Sequence, residues 1–186
     1  MKKSEFKKIL HTNKNRVFSY AFYLLRNRED AEDITQDVFI RLCKNWDSID
    51  RKKVVGWMMR VTHNCCIDLM RQKKASANQL RSAGRVDSES VLLKSDTNTD
   101  PELQYEFTET QRVLLSAMEA LPERTKSMLL LHYFQGLKYE AIGEILNTKV
   151  STVKVAVHRG KKVLRQVLAE QFPERVGKCP NECAMS

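Results

Sequence analysis

The chain has 186 residues, 42% hydrophobic, 30% charged and 8% aromatic, which allows one modest domain or two small ones and argues against disorder throughout and against a single large enzyme fold. Its 32 Lys and Arg against 23 Asp and Glu leave a net charge of +9, a balance that suits a polyanionic partner. No run of about 18 apolar residues occurs, and Met1-Lys2-Lys3-Ser4-Glu5-Phe6 turns charged before a signal-like stretch can build, so a cytoplasmic protein without membrane insertion is expected.

Charge is unevenly distributed. Acids cluster in Glu29, Asp30, Glu32, Asp33 and Asp37, whereas Asp68 is the lone acid from Arg51 to Val86 and none occurs from Ile145 to Ala169. Two separated basic stretches point to two nucleic-acid contacts. Helical periodicity dominates up to about Lys74, lapses, and resumes near Leu103. No alternating period-two runs bounded by turn residues appear, so an all-α fold follows. The expected organisation is two small helical domains, 1–74 and 102–172, joined by a flexible linker over 75–101, with a tail at 173–186. The linker is rich in Ser, Asn, Asp and Thr and ends at Asp100-Pro101.

In the first unit, Ala31, Ile34, Val38 and Leu42 share one helical face, and Glu29, Glu32, Asp33, Gln36, Asp37 and Ile40 cover the other side. An acidic face on a basic protein would repel DNA, so a basic protein surface is its more economical target. The polar and basic loop Trp46-Asp47-Ser48-Ile49-Asp50-Arg51-Lys52-Lys53 follows. In it, Ile49 serves either as a core plug or as a wall for an unstacked base. The next helix, from about Val54 to Gln72, carries Trp57, Val61, Cys65 and Leu69 at fourfold spacing, with Arg60, His63, Asn64, Asp68 and Arg71 on its other faces.

The second unit opens with Phe107, Leu114, Met118 and Leu121 on one amphipathic helix. Pro122 suits the first turn of another, which carries Met128, Leu130 and Leu131 and stops at Gly136. Leu137 to Leu146 form a short helix with Tyr139, Ile142, Ile145 and Leu146 inward, and Gly143 implies close approach of a second helix. Asn147-Thr148-Lys149 make the turn, Asn147 tolerating positive φ. Val150, Val153, Val157, Gly160 and Leu164 then form the buried stripe of a last helix, capped by Ser151. Its opposite arc holds Lys154, Val155, His158, Arg159 and Lys162. That arc suits a recognition helix: Arg and Lys reach guanine edges or phosphates, and Val155 touches a thymine methyl. Ser151 and Thr152 hold a phosphate with the free N–H groups of the first turn.

The cysteines Cys43, Cys65, Cys66, Cys179 and Cys183 are odd in number and argue against a disulfide framework. Adjacent Cys65 and Cys66 suit core packing, while Cys179 and Cys183 supply only half of a zinc shell, so no metal or cofactor is expected. His11, His63, His132 and His158 are scattered, and no Gly-rich phosphate loop or nucleophile elbow occurs, which excludes the common catalytic signatures.

Leu121-Pro122-Glu123-Arg124, the run Gly136 to Leu146, Ser151-Thr152-Val153-Lys154 and the run His158 to Leu164 resemble region 4 of the sigma-70 family, its extracytoplasmic-function (ECF) group above all. Independently, Asp30 to Leu42 resembles region 2.2, and Trp57 to Arg71, with Asn64, Asp68 and Arg71 in step, resembles regions 2.3 and 2.4. The resemblance implies a transcription initiation factor without catalytic activity. Such a factor binds RNA polymerase core enzyme, at the clamp of the largest catalytic subunit and the flap of the second-largest, and directs it to promoter DNA. It also implies that Asp33, Gln36, Asp37, Ile40 and Arg41 dock on the clamp, and that Asn45, Ile49, Val61 and Asn64 line a pocket for a flipped minus-ten base. Asp50, Arg51, Lys52 and Lys53 would form the specificity loop of that site, with Arg71 beside it, and Lys154, Val155, His158, Arg159 and Lys162 would read the minus-thirty-five element. An anti-sigma factor is a common partner in the family. A repressor or activator working without polymerase would explain residues 122–165 but leave the acidic helix and Trp57 to Arg71 without a purpose.

Overall fold

The computed structural model describes residues 3–82 and 109–171, and among them every regular element is helical. The first unit contains α1 (Lys3–Leu25), α2 (Arg28–Lys44) and α3 (Val54–Ser82). In the second, α4 (Glu109–Ala117) leads through a 3₁₀ turn, Met118–Ala120, into α5 (Glu123–Leu129), which widens into a π-helical turn over Leu130–Phe134. The helix pair α6 (Tyr139–Ile145) and α7 (Val150–Gln171) completes the unit. None of these helices is long and apolar enough to cross a membrane. Phe107, Cys179 and Cys183 lie outside the described residues.

Helix α2 starts where the Asn27 side chain accepts the Asp30 N–H at 2.9 Å, with Glu29 and Asp30 in its positive first turn. Its apolar face, Ala31, Ile34, Val38 and Leu42, is buried as its spacing requires, and Trp46 closes the same core. Helix α1 supplies Val17, Tyr20, Ala21 and Leu24 to that core. In α3 the fully buried stripe is Val54, Met58, Thr62 and Cys66, one position round from the expected Trp57, Val61, Cys65 and Leu69, which are half-buried. Thr62 is tolerated inside because its hydroxyl donates to the Met58 carbonyl at 2.7 Å. Helix α3 also continues to Ser82, so residues 75–82 of the expected linker are helical.

In the second unit, α5 begins at Glu123 with Pro122 just ahead of it, and the chain ends that helix at Gly136 with φ +64°. Helix α6 closes in a left-handed cap: Asn147 has φ +46° and the Thr148 N–H donates to the Gly143 carbonyl at 2.9 Å. A Cβ on Gly143 would lie 2.9 Å from the Thr148 carbonyl oxygen and 3.6 Å from a Val150 methyl, so the turn itself, and behind it the next helix, makes the close approach. Helix α7 begins at Val150, with the Lys149 carbonyl accepting the Val153 N–H at 3.2 Å. Ser151 therefore stands inside the helix and not at its cap.

Gly143→Ala gains up to about 1 kcal/mol of helix propensity, but the new methyl meets a backbone carbonyl that cannot rotate away, and overpacking costs about 1–3 kcal/mol. Net destabilisation is expected in thermal unfolding. A raised Tm would contradict this account of the turn.

Candidate nucleic-acid interface

Helix α7 packs Val153, Val157 and Gly160 against the rest of the second unit, and Gly160 allows close approach there: a Cβ would stand 2.7 Å from Leu129 Cδ1 and 2.9 Å from Thr125 Cγ2, so those side chains would have to shift. With that face fixed inward, Lys154, Val155, His158, Arg159 and Lys162 are all exposed on the outer arc, as their spacing requires. Val155 is 49% exposed between cations, which leaves it free for a methyl contact in a groove. Ser151 and Thr152 are exposed in the first turn, where helix N–H groups are unpaired. Thr125 of α5 joins Ser151, Thr152, Val155, Ala156 and Arg159 around one shallow concavity. No periodic signal marks Thr125, because it belongs to a different helix.

On the first unit, Asp33, Gln36, Ile40 and Arg41 are exposed and Asp37 is half-buried, forming one continuous side of α2. Ile40 is 52% exposed amid polar neighbours. Asp37 accepts from Arg41 at 2.8 Å and lies 3.6 Å from the Cys65 thiol, while Asp30 pairs with Lys73. Asp30, Asp33, Asp37 and Asp68 line a groove between α2 and α3 that is acidic on balance, despite Arg41. Cys65 and Cys66 are free thiols, both held protonated because burial raises their pKa. No group of three or more potential metal ligands occurs among the described residues.

The loop after α2 is organised around Trp46, which is buried with its ring edge-on to Phe6 at 4.9 Å. Arg51 lies over that ring at 3.9 Å, and its guanidinium donates to the Trp46 carbonyl and, at 2.7 Å, to the Ile49 carbonyl. Arg51 is thus engaged by the protein and braces the loop, whereas Lys52 and Lys53 project outward and Asp50 accepts the Lys52 N–H. Asn45 caps α2, its side-chain amide donating to the Arg41 carbonyl at 2.8 Å, and Ile49 is half-buried against the core. Val61 is half-buried and Asn64 exposed on α3, while Arg71 is exposed and pairs with Asp68 at 3.7 Å.

His63, one residue from Asn64, has its pKa pushed down to about 4 by burial and by Arg124, against the opposing pull of Glu123. It is neutral at pH 7, and its Nδ1 and the Tyr20 hydroxyl share a hydrogen bond of 3.0 Å.

A family model described as Sigma-70 region 2 matches residues 9–76, and one described as Sigma-70, region 4 matches residues 111–164. The chain is 32% identical over 169 residues to the ECF RNA polymerase sigma factor SigW of Bacillus subtilis, covering 89% of each protein. It is 30% identical over 170 residues to the ECF RNA polymerase sigma factor SigE of Mycolicibacterium smegmatis, covering 89% of this chain and 62% of that longer protein. Among solved structures, the fold is similar to the sigma factor RpoE crystallised with the anti-sigma factor NepR from Bartonella quintana. The TM-score is 0.66 at 21% identity, over 88% of this chain and 96% of that one.

Proposed function

The chain belongs to the ECF group of the sigma-70 family of RNA polymerase sigma factors, and from that premise we propose how its residues divide the work of promoter-specific initiation. Its partners are core RNA polymerase and promoter DNA, and it works in the cytoplasm as a non-enzymatic factor. The observation that carries the assignment is the coexistence on one chain of an outward basic arc on a buried helix pair and an acidic helix side bearing exposed Ile40. A DNA-only regulator has no use for the second.

The α2 side, Asp33, Gln36, Asp37, Ile40 and Arg41, docks on the clamp of the largest catalytic subunit, carboxylates meeting a basic surface and Ile40 filling an apolar contact at its centre. The second unit takes the flap of the second-largest subunit. An anti-sigma factor is a further partner of this reading, as the structural relative was crystallised with the anti-sigma factor NepR. Ile49 and Val61 give an apolar wall, and Asn45 and Asn64 give amide groups, for a minus-ten base drawn out of the stack. Asp50, Lys52 and Lys53 border that site, with Arg71 further along α3. Arg51 acts through Trp46 as a positioning residue. In the minus-thirty-five duplex, Lys154, Val155, His158, Arg159 and Lys162 face the major groove, and Ser151 and Thr152 hold the backbone.

If Arg159 pairs a base, Arg159→Ala costs about 1–3 kcal/mol on a cognate promoter duplex and much less on an unrelated one. Fluorescence anisotropy on both duplexes checks this. Equal losses on both would make Arg159 a phosphate contact.

A further inference from the structure

Unpaired positive charge on the first unit is gathered at one end. Along α2 and α3, Arg28 pairs with Glu32, Arg41 with Asp37, Arg71 with Asp68 and Lys73 with Asp30. Six exposed lysines of the unit have no side-chain partner among the described residues: Lys7, Lys8, Lys14, Lys44, Lys52 and Lys53. All six lie on the first half of α1, at the end of α2 or in the loop that follows it. These segments are neighbours because Arg26 and Asn27 alone join α1 to α2, so the chain doubles back and the end of α2 returns beside the start of α1. There the Phe6 ring meets Trp46, and Glu5 lies 3.9 Å from Arg51, the residue that braces the loop.

On α1 the inward stripe is Phe6, Ile9, Leu10, Asn13 and Val17, which leaves Lys7, Lys8 and Lys14 outside together with Thr12 and Asn15. From Phe6 to Arg28 the chain has no acid, a basic stretch further to the two that charge counting singles out. Against the six lysines stand Glu5, Asp47 and Asp50. Glu5 faces Arg51 and Asp50 accepts the Lys52 backbone N–H, so the balance at this end stays positive. Such crowding of like charge is mildly unfavourable in the free protein and is relieved by an anionic partner.

The class of partner follows from what this end lacks. The large hydrophobics exposed among the described residues are Ile40, Tyr133 and Val155, and none of them is here, whereas protein interfaces are organised round apolar or aromatic anchors. Binding to a nucleic-acid backbone needs charge without such an anchor, and lysine supplies it as a point charge on a flexible stem. Lys7 and Lys14 stand about 10 Å apart along the helix axis at about 1.5 Å per residue, the length of about three nucleotides at about 3.4 Å each.

We propose that this lysine end is a further DNA contact: Lys7, Lys8 and Lys14 of α1, with Lys44, hold backbone phosphates of the strand whose minus-ten base is seated at Ile49, where that strand runs on past Lys52 and Lys53. Thr12 and Asn15 add uncharged donors to the same phosphates. The choice of strand rests on the minus-ten assignment of the loop, and the affinity for DNA rests on the charges alone.

Fluorescence anisotropy tests this with the full chain, alone and assembled with purified bacterial core polymerase, on a DNA duplex carrying a noncomplementary bubble and on the same duplex fully paired. Wild type is compared with the combined Lys7→Ala, Lys8→Ala and Lys14→Ala variant and with the corresponding triple Arg variant. Both replacements are good helix formers at exposed positions, and circular dichroism checks helix content. On the bubble the Ala variant should bind about tenfold more weakly at about 0.15 M salt, and the slope of log affinity against log salt should become shallower by about 2, since each single-strand phosphate contact contributes about 0.7. The Arg variant should keep the wild-type slope. On the paired duplex, which seats no base in the pocket, the loss should stay under about threefold. A wild type without affinity for the bubble, an unchanged slope, an equal loss on the paired duplex, or loss of core binding in place of DNA binding overturns the proposal. Should the slope fall as predicted with the chain alone while neither wild type nor variant binds core, the DNA contact stands and the sigma-factor assignment fails.

Discussion

Replacing Asp33 and Asp37 together by Arg should abolish co-purification with RNA polymerase core while leaving the fold intact. Asp33 is exposed on α2 and Asp37 half-buried, and the bonds lost are the Asp37–Arg41 pair, worth at most about 1 kcal/mol, and the weak bond from the Cys65 thiol at 3.6 Å. Against a basic docking surface, two charge reversals place like charges in contact, at a cost of several kcal/mol, on the order of a hundredfold or more in affinity. Circular dichroism should be unchanged and minus-thirty-five duplex binding retained. Undiminished co-purification would remove the clamp assignment from this face.

Trp46→Ala should be the most destabilising single change in the first unit. Trp46 is 1% exposed, packs on Phe6 and supports Arg51, and truncating a buried aromatic costs about 3–5 kcal/mol. The loss reaches function because Arg51 ties the backbone of Trp46 and Ile49 together, so the loop from Asn45 to Lys53 loses its brace. Urea unfolding measures the first effect. A midpoint lower by less than the equivalent of about 1 kcal/mol would show that Trp46 does not organise the loop. Its replacement by Phe, which keeps the ring contact, should recover part of the stability.

What could be seen in the sequence depended on how far apart the interacting residues lie. The apolar faces of α2 and α7 were legible because spacing within one helix determines them. Gly136 and Asn147 were legible because only certain residues accept the left-handed conformation the turns require. The stripe of α3 was displaced by one position: Trp57 and Val61 look more apolar than Met58 and Thr62, yet Thr62 satisfies its hydroxyl inside its own helix and is the buried residue. The role of Arg51 was hidden because nothing local shows that its guanidinium turns inward over Trp46. The contact between Arg16 of α1 and Gln135 after the π-helical turn was hidden more completely. Arg16 and Gln135 stand 119 positions apart, and a buried Gln in a widened helical turn carries no periodic signature.

The sigma-factor assignment itself is tested most directly by run-off transcription in vitro, with purified core polymerase, this chain and fragmented genomic DNA. The account predicts discrete transcripts that appear only when the chain is added and disappear with the Asp33 and Asp37 reversals. Core polymerase giving the same products with and without the chain would contradict it.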